Sequence, residues 1–465
     1  MATTNKKKRN ASHLHDYKAP RLAGGMGNIP AKQSLSAELQ RLVYTCLLWE
    51  NNAYISGVSV AERIAELSTT LPAEDVRDIA IKAVTEQKLR HVPLWIAMNM
   101  FENKYSRSYA KEILDVAFRR PDQLTEFAAM YWTKNPGKRL PHKATDAMSE
   151  ALNRFDGYQL AKYSGGSKEV KLRDVLRLAR PTPVSQEQSV LFKQLNDGTL
   201  PSPNTWEVRY SACRTEQEKK SVWTDLINDN KLGALAFLRN LRNMQQVGVN
   251  SKTIRNGLAN LKPHLILPVQ FMQAAQYAPD YTDEIEQLMF SCTSQHKKLA
   301  GDTIFVLDVS GSMSSPISSG QSSRLNVGIS LSILAREICE RVKIYITAGN
   351  DWQRIHSTKK IANRRGFALQ DLINREKNSV GGGGIFTRQC LEFIRQEERE
   401  DPDRIIVFSD SQDCDLKNKI PNPFGKTNYI IDVSSHTHGV NYSGVWTAEI
   451  SGWSESFLNY IASVE

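Results

Sequence analysis

The chain contains 465 residues, of which 40% are apolar and 24% are charged, and its net charge is +10. This length predicts two or three domains, and the composition is that of an ordinary globular protein. No stretch reaches the roughly 18 consecutive apolar residues of a membrane span, and the first segment lacks the apolar core of a secretory signal. The six cysteines are scattered without a C-x-x-C pair, which favours reduced thiols in the cytosol over disulfides or a zinc site.

The positive charge is concentrated in the N-terminal two-thirds of the chain. Residues 1–300 carry 42 Lys and Arg against 30 Asp and Glu, whereas residues 301–465 carry 18 against 20. A positive surface attracts polyanions because binding releases their condensed counterions. Nucleic acid is therefore the first partner to consider, although a basic protein without such a partner would show the same totals.

Residues 1–33 are predicted to form a flexible basic arm, and residues 34–299 a helical domain. In the second range, apolar residues recur at helical spacing in one segment after another, and the linkers are short and contain Pro or Gly. Pro121 divides the segment 108–132 into two predicted helices. Many amphipathic helices with short turns predict stacked helix pairs, an α-solenoid, with a compact irregular helical domain as the alternative.

The pattern changes near residue 303. Four short β-branched runs follow, "TIFVLDV", "KIYITAG", "RIIVFSD" and "NYIIDV", and amphipathic helical segments separate some of them. Alternating strands and helices predict a doubly wound, mostly parallel sheet that is covered on both faces. The predicted fold class is therefore α plus α/β, with residues 300–465 forming the second domain.

The first predicted strand ends in small oxygen-bearing side chains, Asp308, Ser310 and Ser312. Ligands bind beyond the carboxyl ends of the strands in such sheets, and "RIIVFSD" brings a second carboxylate, Asp410, to the same edge. These hard oxygen ligands suit Mg²⁺ or Mn²⁺, and a hydroxyl from the loop "GGGGIFTRQC" could complete the set. The alternative is that the two serines only cap the next helix.

A basic ribbon occupies residues 160–183 of the helical domain. Six cations lie within about twenty residues, and helical spacing can place several on one face to meet phosphates: Lys162, Lys168, Lys171, Arg173, Arg177 and Arg180. Arg139, His142 and Lys143 add to the charge upstream. Ordinary helix-surface charge is the alternative interpretation.

The metal motif resembles the metal-ion-dependent adhesion site of von Willebrand factor A domains. The D-x-S-x-S pattern at 308–312 is complete, and Asp410 matches the downstream carboxylate. The family's loop threonine follows the glycines directly, whereas here Ile385 and Phe386 precede Thr387. The resemblance implies Mg²⁺ or Mn²⁺ bound by Asp308, Ser310, Ser312, Thr387 and Asp410, with one coordination position left for a partner's carboxylate.

The helical region resembles the TROVE module of the Ro autoantigen family. The segments that carry this resemblance are "LLWENNAYISGVSV", "AVTEQKLRHVPLWIAMNMF", "KY…DVLRLARP" and, near the end of the chain, "ISGWSESFLNYI", which are also similar to the bacterial, Rsr-type members. The resemblance implies a ring of HEAT-like helical repeats, closed by a von Willebrand A-type domain.

The same resemblance implies the function and the residues that carry it. Small noncoding Y-like RNA would bind the basic outer surface, and single-stranded 3′ ends of misfolded RNA would enter the ring. The protein would be a monomer that serves RNA surveillance, processing or decay, with an exoribonuclease such as polynucleotide phosphorylase as a partner. The implied RNA contacts are Arg139, His142, Lys143, Lys162, Lys168 and Arg180, the last standing where the family usually has histidine.

No pattern typical of catalysis stands out in the sequence, and the resemblance also implies a protein that is not an enzyme. The "GGGG" run lacks the Lys-Ser/Thr of a phosphate-binding loop, and Asp413 and Asp415 are interpreted as solvated loop acids. Two other functions stay open: a metal-dependent protein-interaction scaffold that binds no RNA, and a metal-dependent nuclease.

Overall fold

A computed structural model describes residues 34–45, 57–165, 169–263, 266–294, 296–317, 322–415, 420–434 and 444–465. The predicted N-terminal arm, most of the segment "LLWENNAYISGVSV" and Lys168 lie outside these residues. None of the helices in the described ranges is long and apolar enough to cross a membrane.

In the first part of the described chain, from residue 34 to residue 294, all regular secondary structure is helical. Side chains that accept hydrogen bonds from the first-turn amides begin several helices, for example Ser34, Ser185 and Thr215. Pro121 starts a new helix, which confirms the predicted break. The helices are α1 Leu35–Tyr44, α2 Gly57–Thr70, α3 Ala73–Thr85, α4 His91–Met100, α5 Arg107–Ala117, α6 Pro121–Lys134, α7 His142–Leu152, α8 Gly157–Ser164, α9 Leu172–Ala179, α10 Gln186–Asp197, α11 Trp206–Ala212, α12 Glu216–Asn228, α13 Ala234–Gln246, α14 Ser251–Ala259, α15 Pro268–Tyr277 and α16 Thr282–Ser291.

The second part alternates between strands and helices. Its elements are β1 Leu299–Asp308, α17 Arg324–Ile338, β2 Cys339–Asn350, β3 Ile355–Ile361, α18 Gly366–Glu376, α19 Thr387–Glu397, β4 Arg404–Ser409, β5 Thr427–Asp432, β6 Ala448–Ser451 and α20 Ser456–Val464. The six strands have the order β3-β2-β1-β4-β5-β6, and every neighbouring pair is parallel except β2 with β3. The predicted helical array followed by a mostly parallel sheet is confirmed.

Both faces of the sheet are buried at its central strands β1, β4 and β5, as the continuous apolar character of these strands predicts. In β1, Phe305 and Leu307 point to the face covered by α17, α18 and α20, whereas Ile304 and Val306 point to the face covered by α19. The loops at the carboxyl ends of β1 and β4 are therefore fixed by a core packed on two sides.

The helical array contains two separate hydrophobic cores. Helices α1–α10 bury one core among themselves, in which α4 is buried on almost every side. Helices α12–α16 instead share a core with the sheet, where Phe237 and Phe271 belong to the same cluster as Phe305. The second half of the array and the sheet are thus one continuous packing unit.

The helical array contacts the sheet domain at both ends. Near its start, Lys88 Nζ donates to Glu455 just before α20 at 2.6 Å and to the backbone oxygen of Ile266 at 3.1 Å. Near its end, α15 and α16 pack on α17, and Gln273 Nε2 donates to Ser322 Oγ at 2.5 Å. The described residues therefore form a closed circuit of helices with the sheet domain as one segment.

Candidate metal site and basic clefts

Asp308 is the last residue of β1, and its side chain is fully buried between β4 and the loop that follows β1. Because β1 pairs in parallel with β4, Ser409 lies beside it, and Ser409 Oγ donates to Asp308 Oδ2 at 2.6 Å. The Ser310 amide donates to Asp308 Oδ1 at 2.8 Å, so the loop turns back on its own carboxylate. The hydroxyl oxygens of Ser310 and Ser312 lie 3.1 Å apart.

A glycine allows the loop after β1 to pass close to the loop before α19. The Gly311 amide donates to the carbonyl oxygen of Gly383 at 3.3 Å, and a Cβ at Gly311 would lie 2.8 Å from the carbonyl oxygen of Gly382. Any other residue would force these loops apart. Ser310 stands at the N-cap position of the short 3-10 helix Gly311–Ser314, but its side chain makes no capping bond there, and α17 is capped by Ser323. The structure therefore does not support the alternative that the two serines only cap the next helix.

Thr387 is the first residue of α19 and lies buried in this region. Its amide donates to Asp413 Oδ1 at 3.1 Å, and the Arg388 amide donates to Asp415 Oδ2 at 2.7 Å. Asp413 and Asp415 are both 1% exposed. Their interpretation as solvated loop acids is wrong: both hold the positive end of α19, where carboxylates are stabilised.

The donor set fits a small, hard cation. Thr387 Oγ1 and Asp410 Oδ1 are buried and have no hydrogen-bond partner among the described residues. Buried oxygens without partners are costly unless a ligand satisfies them. No group of three His, Cys, Asp or Glu that could hold a metal occurs in the described ranges, so the candidate site depends on two carboxylates supplemented by hydroxyls.

The negative charge of Asp410 affects the protonation of Asp308. Burial, and then the negative charge of Asp410, raise the pKa of Asp308 to about 7, while the bonds from Ser310 and Ser409 oppose the rise. A divalent ion would oppose this rise in the pKa of Asp308, because it favours both carboxylates in the charged form.

A residue that the sequence interpretation missed completes the surroundings of the site. Arg324 opens α17, is 2% exposed, and its Nη1 donates to Asp410 Oδ2 at 2.8 Å. The two residues are 86 positions apart in sequence, and a lone arginine after a Ser-rich loop gives no signal of this contact.

Of the five predicted ligands, only Ser312 is partly exposed.

Three predicted RNA-binding residues line one cleft in the first half of the array. Arg139, His142 and Lys143 lie at the start of α7 and are exposed. The cleft has a volume of about 550 Å³, and its other lining residues are Phe101, Arg107, Tyr131, Pro141 and Asp146. Asp146 is hydrogen-bonded to His142, with Oδ2 2.9 Å from Nδ1. The guanidinium of Arg107 was not anticipated, because it comes from α5, more than thirty positions earlier.

The other predicted contacts are not brought into that cleft. Lys162 lies on α8, where its Nζ is 3.9 Å from a carboxylate oxygen of Glu207. Arg180 ends α9 in the left-handed conformation, with φ of 46°, and is exposed. Arg177 Nε donates to Asn196 Oδ1 at 2.9 Å, so it joins α9 to α10.

A second basic cleft lies in the half of the array that shares its core with the sheet. It has a volume of about 390 Å³ between α13 and α15, and its lining includes Arg239, Arg242, Asn243, Gln270 and Tyr277. Neither guanidinium forms an ion pair with a described residue, and no carboxylate lines the cleft. The sequence interpretation missed it because its residues come from two helices about thirty positions apart.

The fold and the sites define a class of protein, an array of paired helices closed by a von Willebrand A-type sheet. Residues 198–278, which cover α11–α15, match the TROVE domain family. The crystal structure of the Deinococcus radiodurans Ro (Rsr) protein is similar, with a TM-score of 0.56, 16% sequence identity, and coverage of 90% of this chain and 96% of that one. Comparison with curated protein sequences gives no significant match.

These findings confirm the resemblance predicted from the sequence. Part of the second half of the helical array matches the TROVE domain family, and the fold of the chain is similar to that of a Ro protein. The matched segment lies outside the four segments that carry the predicted resemblance, and it contains the cleft between α13 and α15.

Proposed function

We propose that this protein binds RNA through the basic clefts of its helical array and does not cleave it. The observation that carries the proposal is the cleft at the start of α7, where Arg107, Arg139 and Lys143 surround one concave surface. Guanidinium and ammonium groups bind phosphate oxygens, and Tyr131 offers a ring edge beside them. Among the described residues that line the cleft, Asp146 alone carries a carboxylate, and it is already bonded to His142.

The second cleft supports a bipartite binding surface. Arg239 and Arg242 are three positions apart on α13, so both guanidinium groups reach the same side of the helix. The partly exposed ring of Tyr277 faces the same cleft, where a base could stack. A strand of RNA would thus meet phosphate-binding groups in both halves of the array and a base-stacking ring in the second half.

The closed circuit of helices and sheet supports two separate binding places for two kinds of RNA. We infer that a small structured, Y-like RNA binds the basic outer surface, and that single-stranded 3′ ends enter the ring. A protein that holds an RNA end in this way would present it to an exoribonuclease such as polynucleotide phosphorylase, in surveillance or decay. We further infer a reducing compartment such as the cytosol, since all five described cysteines are free thiols. The monomer is inferred from the family resemblance alone.

The candidate metal site would hold Mg²⁺ or Mn²⁺ through Asp308, Asp410 and the neighbouring hydroxyls. Such an ion would brace the loops after β1 and β4 and the start of α19. The burial of these ligands argues against the alternative of a scaffold that captures a partner's carboxylate. The amides at the start of α19 donate hydrogen bonds to Asp413 and Asp415. These bonds argue against a two-metal nuclease, because the two carboxylates are already engaged.

Filter binding of a small hairpin RNA at several salt concentrations tests the proposal. Wild-type affinity should fall steeply between about 50 and 200 mM salt, as phosphate binding requires. The R139Q/K143Q variant should bind at least about tenfold more weakly and lower the salt slope by about 2. R364Q/K297Q is a matched control, because it removes one arginine and one lysine from exposed positions outside both clefts, and neither side chain forms an ion pair with a described residue.

RNA affinity that does not change with salt concentration would contradict RNA recognition by this cleft. An equal loss of affinity in R139Q/K143Q and in the control variant would contradict it as well. A second variant, K162Q/R180Q, tests the contacts implied by the family resemblance. Its RNA affinity should fall while its circular dichroism spectrum stays that of the wild type. Unchanged affinity would remove Lys162 and Arg180 from the binding surface.

A further inference from the structure

The candidate metal site contains a buried positive charge of its own. The Arg324 side chain is 2% exposed and Asp410 is 0% exposed, and they share one hydrogen bond of 2.8 Å. Arg324 Nη2 and Asp410 Oδ1 each lack a hydrogen-bond partner within the described ranges. The pair is therefore held by one bond, and each member keeps an unused polar atom in the interior.

The position of Arg324 is electrostatically unfavourable apart from this contact. It is the first residue of α17, where the helix dipole disfavours a cation, and burial disfavours it further. Its backbone amide donates to the Ser315 carbonyl oxygen at 3.1 Å, which fixes the start of the helix next to the loop of Ser310 and Ser312. The guanidinium is thus built into the site by the same loop that supplies the predicted ligands.

A divalent ion would meet this charge directly. Asp308 and Asp410 alone would offer two negative charges, but Arg324 cancels one of them and engages Asp410 Oδ2. Asp410 Oδ1, which has no hydrogen-bond partner among the described residues, would remain available to an ion. The ion and the guanidinium would repel each other in an interior where charges are weakly screened.

We propose that Arg324 is an internal counter-cation that lowers the affinity of this site for divalent ions and holds Asp410 in place when no ion is bound. The proposal depends on the cation site inferred above, but not on RNA binding. It assigns Arg324 a role in setting affinity, so that the site fills only when the free ion is abundant.

Binding of Mn²⁺ to the full-length protein, followed by the electron paramagnetic resonance signal of the free ion, tests the proposal. R324Q removes the charge but keeps a hydrogen-bond donor for Asp410, and it should bind Mn²⁺ at least about tenfold more tightly than the wild type. R324K keeps the charge and should stay close to the wild type. R336Q is the matched control, since Arg336 lies in the last turn of the same helix and is bonded to Asn363.

The variants separate failure of this inference from failure of the cation site. Mn²⁺ binding by R324Q alone, or tighter binding by R324Q than by the wild type, supports the role of Arg324. Equal or weaker binding by R324Q overturns the role while leaving the site in place. No binding by the wild type, R324Q or R324K overturns both.

Thermal unfolding covers the case in which R324Q is unstable. Asp410 would then be buried without a counter-charge, and Mn²⁺ should restore the fold of R324Q more than it stabilises the wild type. R324Q/D410N, which lacks both charges, should fold without Mn²⁺ and gain nothing from it. A failure of Mn²⁺ to restore R324Q would overturn the proposal.

Discussion

Lys88 joins three parts of the molecule, and replacing it with methionine should open the circuit at this point. The ammonium group donates to both carboxylate oxygens of Glu455, at 2.6 and 2.9 Å, and to the backbone oxygen of Ile266 at 3.1 Å. The Lys88 side chain is 8% exposed and that of Glu455 is 18% exposed, so neither charge would be well hydrated alone. Removing one partner of a buried pair costs about 3–5 kcal/mol, and the residual exposure of Glu455 places K88M near the lower limit, at about 3 kcal/mol.

Urea unfolding followed by circular dichroism measures this loss, and hydrogen exchange locates it. Amides in residues 84–90 and 452–458 should exchange faster in K88M, because these segments meet at the lost contact. K88M/E455M, which leaves no unpaired charge, should recover most of the stability. K426M is the control, since Lys426 pairs with Asp403 on the surface and contributes little there. A urea midpoint and exchange rates unchanged in K88M would show that the contact does not hold the circuit closed.

Three further changes have expected outcomes. Gly257→Ala should destabilise the second helical half by about 1–3 kcal/mol in urea unfolding, because the added Cβ would lie 2.6 Å from Phe237; unchanged stability would mean that the core relaxes freely. Asp413→Ala should cost about 1–2 kcal/mol by the same method and raise hydrogen exchange at Thr387, and exchange that does not change there would contradict its role at α19. Because the pKa of Asp308 is raised to about 7, the folded protein binds a proton that the unfolded chain releases near pH 4. Without metal, stability should therefore fall as pH rises from about 4 to 7, and Mg²⁺ should raise the melting temperature more at pH 8 than at pH 5.5, whereas Asp308→Asn should show neither trend.

Features that depend on neighbours in sequence were predictable. The apolar run and the small residues after it located β1 and the turn at Asp308, because a strand and its terminal loop are local patterns. Asp410 followed from the rule that parallel strands bring their carboxyl ends to one edge. The helical array was predictable from periodicity, and Pro121 from its missing amide.

Features created by packing between distant segments could not be predicted. Arg324 reaches Asp410 only because α17 folds back over β4, and Arg107 joins Arg139 only because α5 and α7 lie side by side. Asp413 and Asp415 looked like surface acids because nothing in their own segment announces that the start of α19 will cover them. In each case the sequence showed the charge of the side chain, but it did not show which residue that side chain contacts in the fold.

The core shared by α12–α16 and the sheet limits which substitutions this protein can accept during evolution. A substitution on the inner face of α13 or α15 alters the surface against which α17 must fit, so acceptable changes on the two sides have to be matched. The first ten helices have no such obligation beyond the contacts of α1 with β6 and the bonds of Gln87 and Lys88 to the start of α20 and to Ile266. Exchange of parts between relatives should succeed at the junction between α10 and α11 and fail between α16 and β1, even though the chain changes from helix to strand only at the latter.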